Sequence, residues 1–255
     1  MPAYRDIPDG ELRIYLDLST YCNAGCPQCD RTDHTKGGKL RKVKWLPRRM
    51  WDLERLKRAY PPDMKIYEVF ICGTYGDPFM VKDIDEMIYY CLDNGWRVTV
   101  NTNGGTHDDF YWYELGARVK EHCDPDGPKM RIVFDVDGST NEMHAKYRRF
   151  VDLGLVLSHM EAYTMAGGYA EAHTIVFKHN EDHLLDIKKL AQDHGATTVL
   201  FQKSNRSFFS EEGQRSDFYN ENNEKEYLYR ATRDLREATE TQGDMRLGLE
   251  KHRTR

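Results

Sequence analysis

Cys22, Cys26 and Cys29 fall within eight residues, in the run LDLSTYCNAGCPQCD. Thiolates are ligands for soft metal centres, and the surrounding Asn23, Gly25, Pro27 and Gln28 make a turn-rich loop, not an amphipathic element. Three thiolates so spaced can hold three corners of an iron-sulfur cube and leave the fourth iron with open positions for a substrate or cofactor. Closed electron-transfer clusters take four cysteines and structural zinc takes four Cys or His ligands, so three cysteines imply a missing partner. That partner is either a bound small molecule or His34, five residues past Cys29, which would complete a Cys3His zinc site. The local pattern leaves both open. Cys72, Cys91 and Cys123 have no neighbour at ligand spacing and are expected to be reduced, partly buried thiols.

Such a loop needs a rigid frame, and the periodicity of the chain provides one. Leu12 to Ser19 alternates apolar and polar residues, as a strand does, while Pro47 to Tyr60 carries Met50, Leu53 and Leu56 at helical spacing. Strand and helix then alternate: strands at Ile66 to Cys72, Trp96 to Thr102, Arg131 to Val136, His173 to Lys178 and Thr197 to Phe201, with helices at Lys82 to Asn94, His107 to Glu121, Asn141 to Ala166 (interrupted near Gly154) and Glu181 to His194. Gly95 and Gly195 stand where helix caps are needed. Six strands separated by helical crossovers predict a parallel α/β sheet, closed into a partial (β/α)6 barrel, with ligands at the carboxyl ends of the strands. The polar clusters fit that scheme, because the cysteine loop, GTYGDP, NTNGG, DVDG, KHN and QK follow strands one to six in turn. A zinc knuckle inserted in an unrelated domain gives no reason for this agreement.

Composition sets outer limits. The chain has 255 residues, 39% hydrophobic and 12% aromatic, enough for a substantial core in one or two domains. Its net charge of -5 gives no basic footprint of a nucleic-acid binder. No repeat or low-complexity tract is present. MPAYRDIPDG has no apolar h-region and no stretch nears the roughly eighteen apolar residues of a membrane span, so a soluble cytoplasmic protein is expected.

Taken together, these residues resemble the radical S-adenosylmethionine (radical SAM) enzymes. Cys22, Cys26 and Cys29 match the CxxxCxxC signature, Gly73 to Pro78 (GTYGDP) stands at the GGEP-like turn, and Thr102-Asn103-Gly104 follows the next strand. FDVDG and TIVFKHN resemble the branch with molybdopterin-precursor cyclases and peptide-modifying members. The likeness covers roughly residues 11 to 203. It implies a 4Fe-4S cluster on the three cysteines, S-adenosylmethionine chelated to the unique iron, hydrogen abstraction by a 5'-deoxyadenosyl radical, and an electron donor such as flavodoxin or ferredoxin. It also implies cofactor contacts from Gln28, Gly73, Tyr75, Gly76, Asp77, Asn101, Asn103, Asp135, Arg148, Lys178 and Asn180. Gly73 and Gly76 would admit the methionine amino group to the backbone, with Asp77 held extended before Pro78 and its oxygen available as an acceptor. Asn101 and Asn103 would meet ribose hydroxyls or the methionine carboxylate, Arg148 would grip that carboxylate, and Lys178 and Asn180 would approach the sugar and adenine. Asp135 and Asp137 have a plainer reading as helix caps, and of Arg148 and Arg149 only one can face the site. The chain departs from the family in Gln28, where an aromatic residue is common, in Asp77 in place of Glu, and in an arginine one residue later than expected.

Two segments remain. Lys36, Lys39, Arg41, Lys42 and Lys44 form a basic insertion, read either as a solvated loop or as a clamp for an acidic substrate. Residues 204–255 form a polar extension after the barrel of residues 1–203. A helix is expected over Glu224 to Glu240 and poor order over the last dozen residues. The extension has no cysteine, so a single cluster is expected. The expected substrate is a peptide or protein side chain, with a nucleotide or other small metabolite as the alternative reading and a non-enzymatic zinc-binding interaction domain as the third.

Overall fold

The computed structural model describes residues 7–125, 127–204, 206 and 214–235, and the backbone of Met245–Leu247. Six strands follow the alternation read above: β1 (Leu12–Leu16), β2 (Ile66–Ile71), β3 (Arg97–Thr102), β4 (Met130–Asp135), β5 (Ala170–Val176) and β6 (Thr198–Lys203). They pair in that order, all parallel, and a seventh strand, Met245–Leu247, adds to β6. The fold is α/β, a partial barrel whose strands run in chain order. Helices α1 (Leu53–Ala59), α2 (Ile84–Asp93), α3 (Asp109–Val119), α4 (Asn141–Ala145), α5 (Leu153–Met165) and α6 (Leu184–Asp193) make the crossovers. Apart from α4, which starts at Asn141 as expected, each begins or ends inside the range its hydrophobic period suggested. The break between α4 and α5 spans residues 146–152, and Asp152 restarts the helix by accepting from the Leu155 N–H.

Asp52, Asp108 and Thr140 cap α1, α3 and α4 in the same way, each accepting from a backbone N–H of the first turn. Asp137 is therefore not the cap of α4. Gly95 and Gly195 adopt φ of 81° and 98° just past α2 and α6, the left-handed conformation that ends a helix without a Cβ clash. Between sheet and helices lies an apolar core that includes Trp112, Phe134, Tyr163, Phe177 and Phe201, all fully buried. No helix among the described residues is long and apolar enough to cross a membrane.

Inside the barrel the early residues of the strands form a charge-balanced layer. Arg13 reaches Glu68 at 2.7 Å, Thr99 Oγ1 donates to Glu68 at 2.8 Å, and Arg131 contacts Glu68, Thr99 and Glu171 at 3.3, 3.0 and 3.5 Å. Because strand side chains alternate, the positions two residues on, Tyr15, Phe70, Asn101 and His173, face the same interior, and their successors reach the open carboxyl end.

The extension differs from its reading. Arg215–Tyr219 (β7) and Lys225–Tyr229 (β8) form an antiparallel hairpin where a helix was expected from Glu224, while residues 236–240 of that expected helix lie outside the described residues. Phe218 and Leu228 join the barrel's own core. Of the last dozen residues only Met245–Leu247 is described, as a strand. The basic insertion is also structured: Thr32–Asp33 pairs with Arg41–Lys42, and the Gly37 N–H donates to Asn223 Oδ1 at 2.8 Å.

Candidate cofactor site

The cysteine loop is built by turns. Cys29 N–H donates to Cys26 O at 3.1 Å and Thr32 N–H to Cys29 O at 2.8 Å, while the buried Arg31 ties the loop from within by donating to Cys22 O at 2.8 Å. Nothing in the local sequence marked Arg31 for this part. Neighbouring strand ends grip the loop from outside. Gly76 lies so close that a Cβ there would stand 2.3 Å from Ser19 O and 2.6 Å from Tyr21 O, and the next N–H, of Asp77, donates to Tyr21 O at 2.7 Å. Gly73 and the half-buried Tyr75 lie in the same turn after β2.

Each thiol meets a different segment around the loop. Ala24 N–H and Asn103 Nδ2 donate toward Cys22 Sγ at 3.4 and 3.5 Å, Arg148 Nη1 lies 3.6 Å from Cys26 Sγ, and Cys29 Sγ lies 4.0 Å from Thr74 O. Burial pushes the Cys22 thiol up to about 11 and Cys26 to about 12, and the nearby Cys29 sulfur adds to both shifts. Bound iron reverses that balance, since a coordinating thiol is deprotonated outright. Among the described residues no group of three or more His, Cys, Asp or Glu is arranged to hold a metal ion. His34, the zinc candidate, has its Nδ1 3.1 Å from Thr32 O. An iron-sulfur cube spreads its thiolates over separate irons, so it asks for a wider nest than zinc does.

Asp77 is extended, with φ -88° and ψ 130°, but its carboxylate is not the free acceptor expected. It accepts from Thr102 Oγ1 at 3.0 Å, Asn103 N–H at 2.8 Å and Phe79 N–H at 3.0 Å, and so locks the turn after β2 to the turn after β3. Burial lifts its carboxyl to about 6 against the pull of these bonds. Asn103 is likewise spent on the loop, donating to Asn23 Oδ1 at 2.8 Å and accepting from Gly105 N–H at 2.8 Å.

Arg148 and Arg149 do point apart. Arg149 pairs with Glu226 of β8, whereas Arg148 turns inward to Asp135 at 3.0 Å and Asp137 at 2.9 Å. Arg148 thus reaches the site with its fork already on two protein carboxylates. Lys178 and Asn180 are committed elsewhere. Lys178, half-exposed, pairs with Glu181, and the buried Asn180 donates to Asp137 O and Ile175 O at 3.0 and 3.1 Å.

Buried polar atoms without a partner among the described residues include Gln28 Nε2, Arg31 Nε and Thr32 Oγ1 in the loop, and Asn101 Oδ1 and His173 Nε2 on β3 and β5. Gln28 is fully buried and its Oε1 accepts from Ser204 Oγ at 2.6 Å, which aims the amide nitrogen. His173 has Nδ1 3.6 Å from Asp135 and was legible in the sequence only as a strand residue. Orphaned atoms of this kind in a barrel mouth mark where a ligand's polar groups belong. The donor set and these atoms fit a thiolate-held cluster with a polar ligand beside it.

No protein-family model matches the chain, and no curated protein does. Solved structures do match. SuiB of Streptococcus suis superposes with a TM-score of 0.62 at 14% identity, covering 94% of this chain and 49% of SuiB. SuiB bound to S-adenosylmethionine gives 0.57 at 16%, covering 76% and 40%. The anSMEcpe structure with bound AdoMet and Kp18Cys peptide gives 0.59 at 14%, covering 80% and 54%. The fold is one shared by proteins that bind S-adenosylmethionine. The chain spans about two fifths to just over half the length of these proteins.

Proposed function

We propose that the chain is a radical SAM enzyme acting on a peptide or protein side chain, with Cys22, Cys26 and Cys29 holding a 4Fe-4S cluster. The observation that carries this reading is the convergence of three thiols from one loop with the turns after β2 and β3 and with Arg148 beyond α4, on a fold shared with S-adenosylmethionine-bound proteins. When bound, the cluster and S-adenosylmethionine supply reductive cleavage of the sulfonium and a 5'-deoxyadenosyl radical for hydrogen abstraction.

The chain's own residues do the rest. Gly76 brings backbone close to the loop, and the turn after β2 that it shares with Gly73 would receive the methionine amino group. Gln28 Nε2 supplies an N–H, and Asn101 Oδ1 and His173 Nε2 supply polar contacts, to cofactor or substrate. Tyr15 and Phe70, with ring centroids 5.5 Å apart, line the interior below. A cluster held by Cys22, Cys26 and Cys29 would be reduced by a donor such as flavodoxin or ferredoxin. A peptide substrate draws support from the neighbouring folds, SuiB being solved with precursor peptide SuiA and anSMEcpe with peptides.

Anaerobic reconstitution with iron and sulfide tests the reading. The expected result is the broad visible absorbance of a thiolate-ligated cluster, bleached by dithionite, with 5'-deoxyadenosine released from S-adenosylmethionine. Stoichiometric zinc and no deoxyadenosine would instead establish the binding-domain reading.

A further inference from the structure

We infer that Arg148 serves the cluster and not the methionine carboxylate: together with the Asn103 amide it raises the reduction potential of the iron-sulfur cluster on Cys22, Cys26 and Cys29. The inference rests on the function proposed above. A guanidinium has five N–H groups in a planar fork. Arg148 Nε lies 2.9 Å from Asp137 Oδ2, Nη2 lies 2.9 Å from the same oxygen, and Nη1 divides between Asp135 Oδ2 at 3.0 Å and Cys26 Sγ at 3.6 Å. Four of the five are used, and the one left cannot grip a second carboxylate bidentately. Charge argues the same way, because a ligand carboxylate here would be a third anion on one cation already shared by Asp135 and the fully buried Asp137.

What Arg148 retains is its contact with a cluster ligand. Reduction adds negative charge to an iron-sulfur cluster, so N–H groups and cations aimed at its sulfurs favour the reduced state. Cys22 receives Ala24 N–H and Asn103 Nδ2, and Cys26 receives Arg148. No N–H among the described residues is aimed at Cys29, so this tuning acts at two corners only. Asp135 works against it, as a carboxylate that draws the guanidinium off the sulfur.

The signs are therefore opposite for two kinds of variant, and a redox titration of the reconstituted chain followed by electron paramagnetic resonance reads them. Arg148→Lys keeps the charge but cannot span from Asp137 to Cys26, and should make the cluster about tenfold harder to reduce, about 59 mV for one electron. Asn103→Leu should shift the midpoint in the same direction by less, and Asp135→Asn in the other direction. Affinity for S-adenosylmethionine, measured by equilibrium binding, should change by less than about threefold in Arg148→Lys. An unchanged midpoint with a tenfold or greater loss of affinity would return Arg148 to the carboxylate and overturn the inference. Should Arg148→Lys fail to fold, an unchanged midpoint in Asn103→Leu overturns it equally. A wild-type chain that takes up no cluster would defeat the proposed function instead.

Discussion

Single side chains tie the site together, and Asp77 ties most. Its carboxylate joins the turn carrying Gly76 to the one carrying Asn103, and both turns hold the cysteine loop. Asp77→Ala leaves Thr102 Oγ1 and two N–H groups without their acceptor, so a loss of about 2–3 kcal/mol in stability and a lower iron content per chain are expected from chemical denaturation and metal analysis. Replacing Cys22, Cys26 or Cys29 by Ala should abolish cluster loading, whereas Cys91→Ala, buried in the apolar core, should retain iron. Equal loss in all four would show the metal to be elsewhere. The three cysteines and the glycine turn were legible because loop chemistry is local and their spacing alone expresses it. The roles of Asp77, Asn103, Arg148 and Asn180 were not, because each depends on partners 26 to 122 residues away or on a fork already filled by Asp135 and Asp137. A sequence shows that an aspartate can accept but not whether the fold has already given it donors.

Among the elements, the staple between β5 and the segment after β8 governs acid stability. Burial pushes the Glu181 carboxyl up, but bonds from Lys178, Arg233 N–H and Thr232 outweigh it and hold the group at about 2. Its folded value lies below the ordinary 4.5, so its contribution is complete above that pH and is lost as pH falls toward 2. Burial drives His144 and His179 the other way for a cation, down to about 4 from 6.5, so their neutral forms favour folding above pH 6.5 and that stability drains as pH falls toward 4. Melting temperature should therefore fall in two stages on acidification. Glu181→Gln should cost about 1–3 kcal/mol at pH 7 and remove the lower stage. An unaltered lower stage would place the acid response on other carboxylates. The barrel strands were legible from β-branched and aromatic runs bounded by turn residues. β8 was misread because Leu228, Ala231 and Leu235 fall at helical spacing, while its alternation shows only once β7 covers one face: Leu228 is buried, with Tyr227 and Tyr229 exposed.

For the molecule as a whole, hairpin and barrel share one apolar core, since the fully buried Phe218 and Leu228 cluster with barrel residues such as Phe177 and Phe201. Phe218→Ala should cost about 3–5 kcal/mol and shift one cooperative unfolding transition, while a separate early transition would show that the hairpin folds apart. The same frame presents the carboxyl ends of the parallel strands β1 to β6 to a single mouth, and the central claim is that a cluster there keeps one iron open for S-adenosylmethionine. Electron paramagnetic resonance of the anaerobically reconstituted, reduced chain, recorded with and without S-adenosylmethionine, tests it most directly. The expected result is a reduced four-iron signal whose shape changes when the cofactor is added and which requires all three of Cys22, Cys26 and Cys29. A signal indifferent to the cofactor, or a chain that binds only zinc, would contradict the account.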